Sequence, residues 1–178
     1  MAPTTSVSRS LKGHPQVRLQ GSFPHPHWVA FLFSGLSNLK VSVIAGMATR
    51  GANQEWDARF DLDFTRSEAN PESLDYLALA QQQTSLAFQP PQISRFQISR
   101  RFDQALEVVL QAPDQIGFLG RMLVKMSMMT LFPTEMQIDT INGQINDRIV
   151  FRSIGMMPPT STVEESLEAM LRGLMTTV

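Results

Sequence analysis

Between Trp56 and Phe64 the chain alternates without a break: Trp56, Ala58, Phe60, Leu62 and Phe64 against Asp57, Arg59, Asp61 and Asp63. Successive side chains of a strand point to opposite faces, so this pattern predicts a strand with one buried and one charged face. Shorter alternations predict strands over 16–21 and through Val41, Val43, Ala45 and Met47. Between them Val29, Leu32, Phe33, Leu36 and Leu39 recur at helical spacing, predicting a helix within 26–39. Gly51-Ala52-Asn53 marks a turn. Asn70-Pro71 offers a helix start ahead of Leu74, Leu77 and Ala78. After Pro90-Pro91, Phe96 and Ile98 alternate with Arg95 and Gln97 as a last strand. The predicted order is β-α-β-β-α-β over residues 14–103, preceded by a small, polar tail, 1–13, expected to be disordered.

The pattern then repeats. Val17-Arg18-Leu19-Gln20 reappears as Val108-Val109-Leu110-Gln111, an offset of 91 (108 − 17), and Thr49 falls opposite Thr140 at the same offset. Residues 104–178 read as a strand at Leu106–Leu110, a helix within Phe118–Met129, and a hairpin turning at Asn142-Gly143. A capping box at Thr162–Glu165 opens a last helix. Only Thr176-Thr177-Val178 follows, so the second unit reads as lacking its final strand. An uncovered sheet edge invites pairing, and a homodimer is expected. The predicted fold class is α+β: two ferredoxin-like units, antiparallel sheets with helices on one face.

Composition removes several classes of function. A formal charge of −1 over 178 residues argues against nucleic acid. With no cysteine there is neither a thiolate nucleophile nor a Cys-type zinc site. The N-terminal stretch has no apolar core, and the longest apolar run, Trp28–Phe33, is far short of a membrane span; a cytoplasmic protein is expected, with no membrane contact. No phosphate-binding loop, dinucleotide fingerprint or nucleophile elbow is present, and nothing points to a cofactor. Eleven methionines, four of them within Met122–Met129, read as core filler. Asp57, Asp61 and Asp63 read as a solvated strand face, and Arg95, Arg100 and Arg101 as charges guarding an edge.

The stretch LQAPDQIGFLGRML followed by TEMQIDTINGQINDRIVFR resembles the ACT domain, a small regulatory module that often binds amino acids beside metabolic enzymes. Asp114, Gly117 and Leu119 stand where that family has Asp, Gly and Leu in the loop from first strand to first helix. Thr140, Gly143 and Asp147 match the next strand end, turn and strand start, with Ile116 in place of the family's usual proline. The first unit matches in outline, with Pro24–His27 standing in its loop. The resemblance implies a tandem ACT-like architecture and a non-enzymatic regulatory protein with an amino-acid-like ligand and a partner enzyme. Asp114, Gln115, Gly117, Phe118 and Leu119 would form the ligand loop, with His25, His27 and Trp28 in the equivalent place in unit one.

The residues themselves allow more. Asp114 after a strand and before a helix is a natural N-cap, with or without a ligand, and Gly117 permits close approach by a neighbour or by a ligand. His25 and His27 flank Pro26; a shared metal needs further ligands that are not signalled, and the alternative to a helix-leading loop is a general base. An enzyme of the cofactor-free monooxygenase or polyketide cyclase type would place one histidine in a large enclosed cavity lined by Met and Phe. A third reading is a scaffold that dimerises through the open edge.

Overall fold

The computed structural model of the chain describes residues 1–84 and 89–175. Its elements run β1 (Thr4–Arg9), β2 (Pro15–Gly21), α1 (Trp28–Asn38), β3 (Ser42–Arg50), β4 (Trp56–Asp63), α2 (Tyr76–Gln81), then β5 (Arg95–Arg100), β6 (Leu106–Pro113), α3 (Phe118–Met128), β7 (Phe132–Ile141), β8 (Gln144–Arg152) and α4 (Ser161–Gly173). The eight strands form one antiparallel sheet in the order β1-β2-β4-β3-β7-β8-β6-β5. The fold is α+β, two ferredoxin-like units whose sheets are joined edge to edge through β3 and β7.

Two strands differ from expectation in where they belong. The N-terminal tail is not disordered: Thr4–Arg9 pair with β2 from Thr4↔Gln20 to Arg9↔Pro15. The N-terminal ammonium meets the Glu55 carboxylate, and the Ser22 N–H donates to the Met1 carbonyl at 3.0 Å. Few of these side chains are apolar, and the backbone ladder gave no hydrophobic signal to read. Arg95–Arg100, expected to close the first unit, instead pairs with β6 as the outer strand of the second. The offset is the same 91 residues (95 − 4). Each edge strand therefore comes first in its unit, and the second unit has its edge strand at 95–100, where the sequence pattern predicts none for it.

The repeat is kept in backbone detail even where side chains differ. Ser10 N–H to the His14 carbonyl is matched by Arg101 N–H to Ala105, 91 residues on. Val41 N–H to Leu36 is matched by Leu131 N–H to Met126, at an offset of 90. Lys40 and Thr130, also 90 apart, both hold positive φ, 58° and 60°, where each first helix turns into its strand. The same offset applies at the helix starts, where His27 and Gly117 are the equivalent N-cap positions. At the join, Met47 lies directly across from its own equivalent Gln137 (137 − 47 = 90). A pseudo-twofold axis thus passes between β3 and β7.

The helices cover one face of the sheet. Val17, Leu19, Ala58, Phe60, Leu62, Val108, Leu110 and Ile149 point into that core and are fully buried. The clean alternation of β4 survives as strictly alternating burial of Trp56, Ala58, Phe60 and Leu62. On the opposite face Asp57 pairs with Arg18 at 3.0 Å, and Asp61 accepts from the Gln16 amide at 2.7 Å. Arg100 and Arg101 are held by Glu164 (2.5 Å) and Glu135 (2.8 Å). Met122 and Met126 are core, as expected of the methionine run, whereas Met128 is 81% exposed. Helix starts shift from expectation: Asp75, not Asn70, caps α2, and Thr160 caps α4 by accepting from Val163 N–H at 3.3 Å. Tyr76 is fully buried and donates to the Pro71 carbonyl at 2.8 Å, with burial pushing its hydroxyl pKa up to about 12.

Gly46 in β3 is fixed by contact rather than by conformation. A Cβ there would lie 2.5 Å from both the Arg59 carbonyl oxygen and Phe60 Cδ1, and Phe60 packs edge-on against Phe33 at 4.9 Å. Overpacking at a rigid core position costs ~1–3 kcal/mol. Gly46→Val is therefore expected to lower stability by about that amount in urea unfolding, while Gly173→Ala, with nothing within 4 Å, stays within ~0.5 kcal/mol of the parent.

Candidate functional site

The strand-to-helix loop of each unit meets the start of the other unit's inner strand, and a cavity lies at each junction. In the second unit Asp114, Gln115, Gly117, Phe118 and Leu119 line one cavity together with Thr140 and Asp147. Its far wall is Val41, Ser42 and Val43 of the first unit. In the first unit Pro24, His25 and Pro26 line the corresponding cavity, with Arg50, Trp56 and, from the second unit, Phe132 and Pro133.

The second-unit loop is closed by its own packing. The cavity holds about 30 Å3, room for one or two waters. Asp114 is not the cap: the N-cap of α3 is Gly117 at φ 75°, and Asp114 uses its own N–H to bond the Gly143 carbonyl at 2.9 Å. The helix starts too late for Asp114 to cap it, its N-cap lying three residues on (117 − 114). Gln115 donates to the Gln92 carbonyl at 2.9 Å and accepts from Gln92 N–H at 3.3 Å, which binds the loop to the segment before β5. At Gly117 the close approach is by a neighbour: a Cβ there would stand 2.3 Å from Ser37 Oγ of α1. Phe118 and Leu119 belong to the core, at 2% and 7% exposure.

The group with unusual chemistry at this cavity is Asp147. It is 2% exposed and accepts from the Asp139 N–H at 3.3 Å. Burial, with the Asp139 charge adding to it, raises its pKa to about 7 against the partial relief of that hydrogen bond. As a sequence feature Asp147 reads only as a strand-opening Asp; its burial comes from the helix-facing register of β8.

The two histidines do not act together. His25 lines the first-unit cavity, whereas His27 lines a separate cleft on the helix side. His27 sits against Phe132 at 4.9 Å, and its pKa is lowered by burial and then by the neighbouring His25 charge. Among the described residues no three His, Asp or Glu side chains gather as a metal site requires. Trp28 is core, 1% exposed, stacked on Phe23 at 4.0 Å and edge-on to Trp56 at 5.3 Å. The first-unit cavity is the larger, at about 190 Å3. Arg50 in it forms no ion pair among the described residues: it donates to Gln54 Oε1 at 3.3 Å and to the Met156 sulfur at 2.8 Å. Neither the pattern nor the resemblance singled out Arg50, since one arginine at a strand end carries no periodic signal.

No family model matches the chain, and no curated protein sequence matches it. Among solved structures, the crystal structure of an aspartate kinase from Synechocystis matches with a TM-score of 0.50 and 15% identity, covering 92% of this chain and 26% of that one. At that identity the likeness is one of fold, and the chain spans about a quarter of the kinase's length.

Asp147 gives a stability signature. A carboxyl whose folded pKa lies above its unfolded value favours the fold most at pH below ~4, and that contribution is lost as pH rises to about 7. Asp147→Asn keeps the acceptor for Asp139 N–H and removes the titration. The variant is expected to lose the downward slope between about pH 4 and 7 in chemical unfolding. At pH 8 it should exceed the parent by a few kcal/mol, since each tenfold change in proton affinity between the folded and unfolded chain is worth ~1.4 kcal/mol.

Proposed function

We propose that the chain is a non-enzymatic regulatory protein of tandem ACT-like architecture that binds a small amino-acid-like molecule. The observation that carries this reading is the convergence of both strand-to-helix loops on cavities completed by the opposite unit. A ligand there touches both units and can favour one packing of them over another, which is what regulation by binding requires. The likeness of fold to part of an aspartate kinase supports the architecture only.

The first-unit cavity is the better receptor. Arg50 and His25 suit a carboxylate, and Trp56 and Phe132 give an apolar wall. The second-unit cavity offers Asp147, whose buried carboxyl would gain most from a ligand ammonium. Binding in the first unit needs no rearrangement; binding in the second requires the loop to yield space. In this reading a partner enzyme receives the signal, the chain works in the cytoplasm, and two copies associate through the outer strands β1 or β5. No helix among the described residues is long and apolar enough to cross a membrane.

Thermal unfolding against the twenty amino acids and their oxo-acids tests the ligand. A bound species at one hundred times its Kd adds ~2.7 kcal/mol of stability, and Arg50→Gln is expected to abolish the shift of a ligand seated in the first unit. Asp147→Asn reports on the second in the same way. The absence of any shift across the panel removes the ligand reading and leaves the fold.

A further inference from the structure

A third cleft, distinct from both loop cavities, opens on the helix side. It lies between α1 and α3, measures about 460 Å3 and shares no lining residue with either loop cavity. The two helices approach closely at Gly120, where a Cβ would stand 3.0 Å from the Ser34 backbone nitrogen. Ala30, Val124 and Met128 give the cleft an apolar wall, and Pro90 and Pro91 border it.

Its polar lining is unusual. Seven buried side-chain nitrogen or oxygen atoms among the described residues have no hydrogen-bond partner, and four of them belong to this cleft: His27 Nδ1, Ser34 Oγ, Thr84 Oγ1 and Arg121 Nε. Each orphaned buried polar atom costs ~1–3 kcal/mol, so four around one space mark a place where folding leaves polar groups unanswered. Ser34 is 2% exposed, so neither its hydroxyl nor its position follows from a need for solvent. The charge is one-sided: Arg121 and Lys125 line the cleft, no Asp or Glu does, and neither cation forms an ion pair among the described residues. Arg121 donates from Nη2 to the Ile116 carbonyl at 2.9 Å, a neutral partner. Burial without an acid nearby holds its pKa below the usual guanidinium range.

We propose that this cleft binds a small organic anion, a carboxylate or phosphate monoester on an apolar body. Its charged end sits on Arg121 and Lys125 with the Ser34 and Thr84 hydroxyls, and its apolar body lies against Val124 and Met128. The volume lies within the ordinary range for small-molecule sites, ~300–1,000 Å3. A partly desolvated guanidinium gains more from an anion than a fully solvated one, because part of the competing water is already gone. The reading stands apart from the amino-acid-like ligand of the loop cavities, and either can fail alone.

Phenyl phosphate and benzoate serve as probes, with benzyl alcohol as the neutral control, in isothermal titration of the full chain. At least one anion is expected to bind and the alcohol not to. Arg121→Gln is expected to weaken binding by ten-fold or more, Arg121→Lys to weaken it less, and Arg50→Gln and Asp147→Asn in the loop cavities to leave it unchanged. Circular dichroism and the unfolding midpoint establish that Arg121→Gln is folded; should it not fold, Lys125→Glu carries the test, with a similar loss expected. Phosphate over benzoate, or the reverse, assigns the anionic group. No binding by either anion, equal binding of benzyl alcohol, or affinity undiminished in Arg121→Gln (in Lys125→Glu if that variant replaces it) overturns the proposal.

Discussion

The pairing of β3 with β7 is the contact on which the remaining architecture depends. Five residues on each strand, from Ala45↔Asp139 to Thr49↔Glu135, turn two four-stranded sheets into one of eight. Because Met47 faces its own repeat equivalent Gln137, the ladder also fixes the symmetry of everything built on it. It carries α1 against α3 and sets each strand-to-helix loop against the other unit. Had the register slipped by one residue, every side chain of one half would face the wrong side of the sheet. Beside the join, Gly46 lets β3 lie close against β4 of its own unit, since the Phe60 ring occupies the space a side chain would need.

Symmetry of backbone has not kept symmetry of chemistry. The two loops hold the same hydrogen-bond frame, with Trp28 N–H bonded to the His25 carbonyl as Phe118 N–H is to that of Gln115. Yet one loop is tied shut by Gln115 and pressed onto Ser37, while the other leaves a cavity more than six times as large beside Arg50. Among the groups that break the equivalence are Arg121 where the first unit has Phe31, Gly117 where it has His27, and Val124 where it has Ser34. All three exchanges fall at the interface between α1 and α3 or at the loops beside it, where the halves touch one another rather than their own cores.

Much of the frame was legible in the sequence because burial imposes a period. Trp56–Asp63 read as a strand and is one, and the helices at 28–38 and 118–128 fall within their predicted spans. Thr4–Arg9 escaped because an edge strand held by backbone hydrogen bonds needs no apolar alternation. The same limit misplaced Arg95–Arg100: its alternation showed a strand, but local pattern does not say which neighbour a strand pairs with. At the site, the loop residues 114–119 were found from their resemblance, and the structure gave Gly117 and Phe118 packing duties. Arg50, Arg121 and Ser34 were invisible in advance. Their interest lies in missing partners, and a missing partner is a property of the folded arrangement, with no counterpart in residue order.

The join through β3 and β7 has a further consequence because both halves lie on one chain. Two separate copies meeting through the same edge would come apart on dilution and would be obliged to match, every substitution appearing on both sides of the axis at once. Covalent linkage makes the association intramolecular and independent of protein concentration. It also lets a change enter one half alone. A proline-boxed histidine loop and an Asp-x-x-Gly loop can then face each other across an axis that neither of them needs to respect.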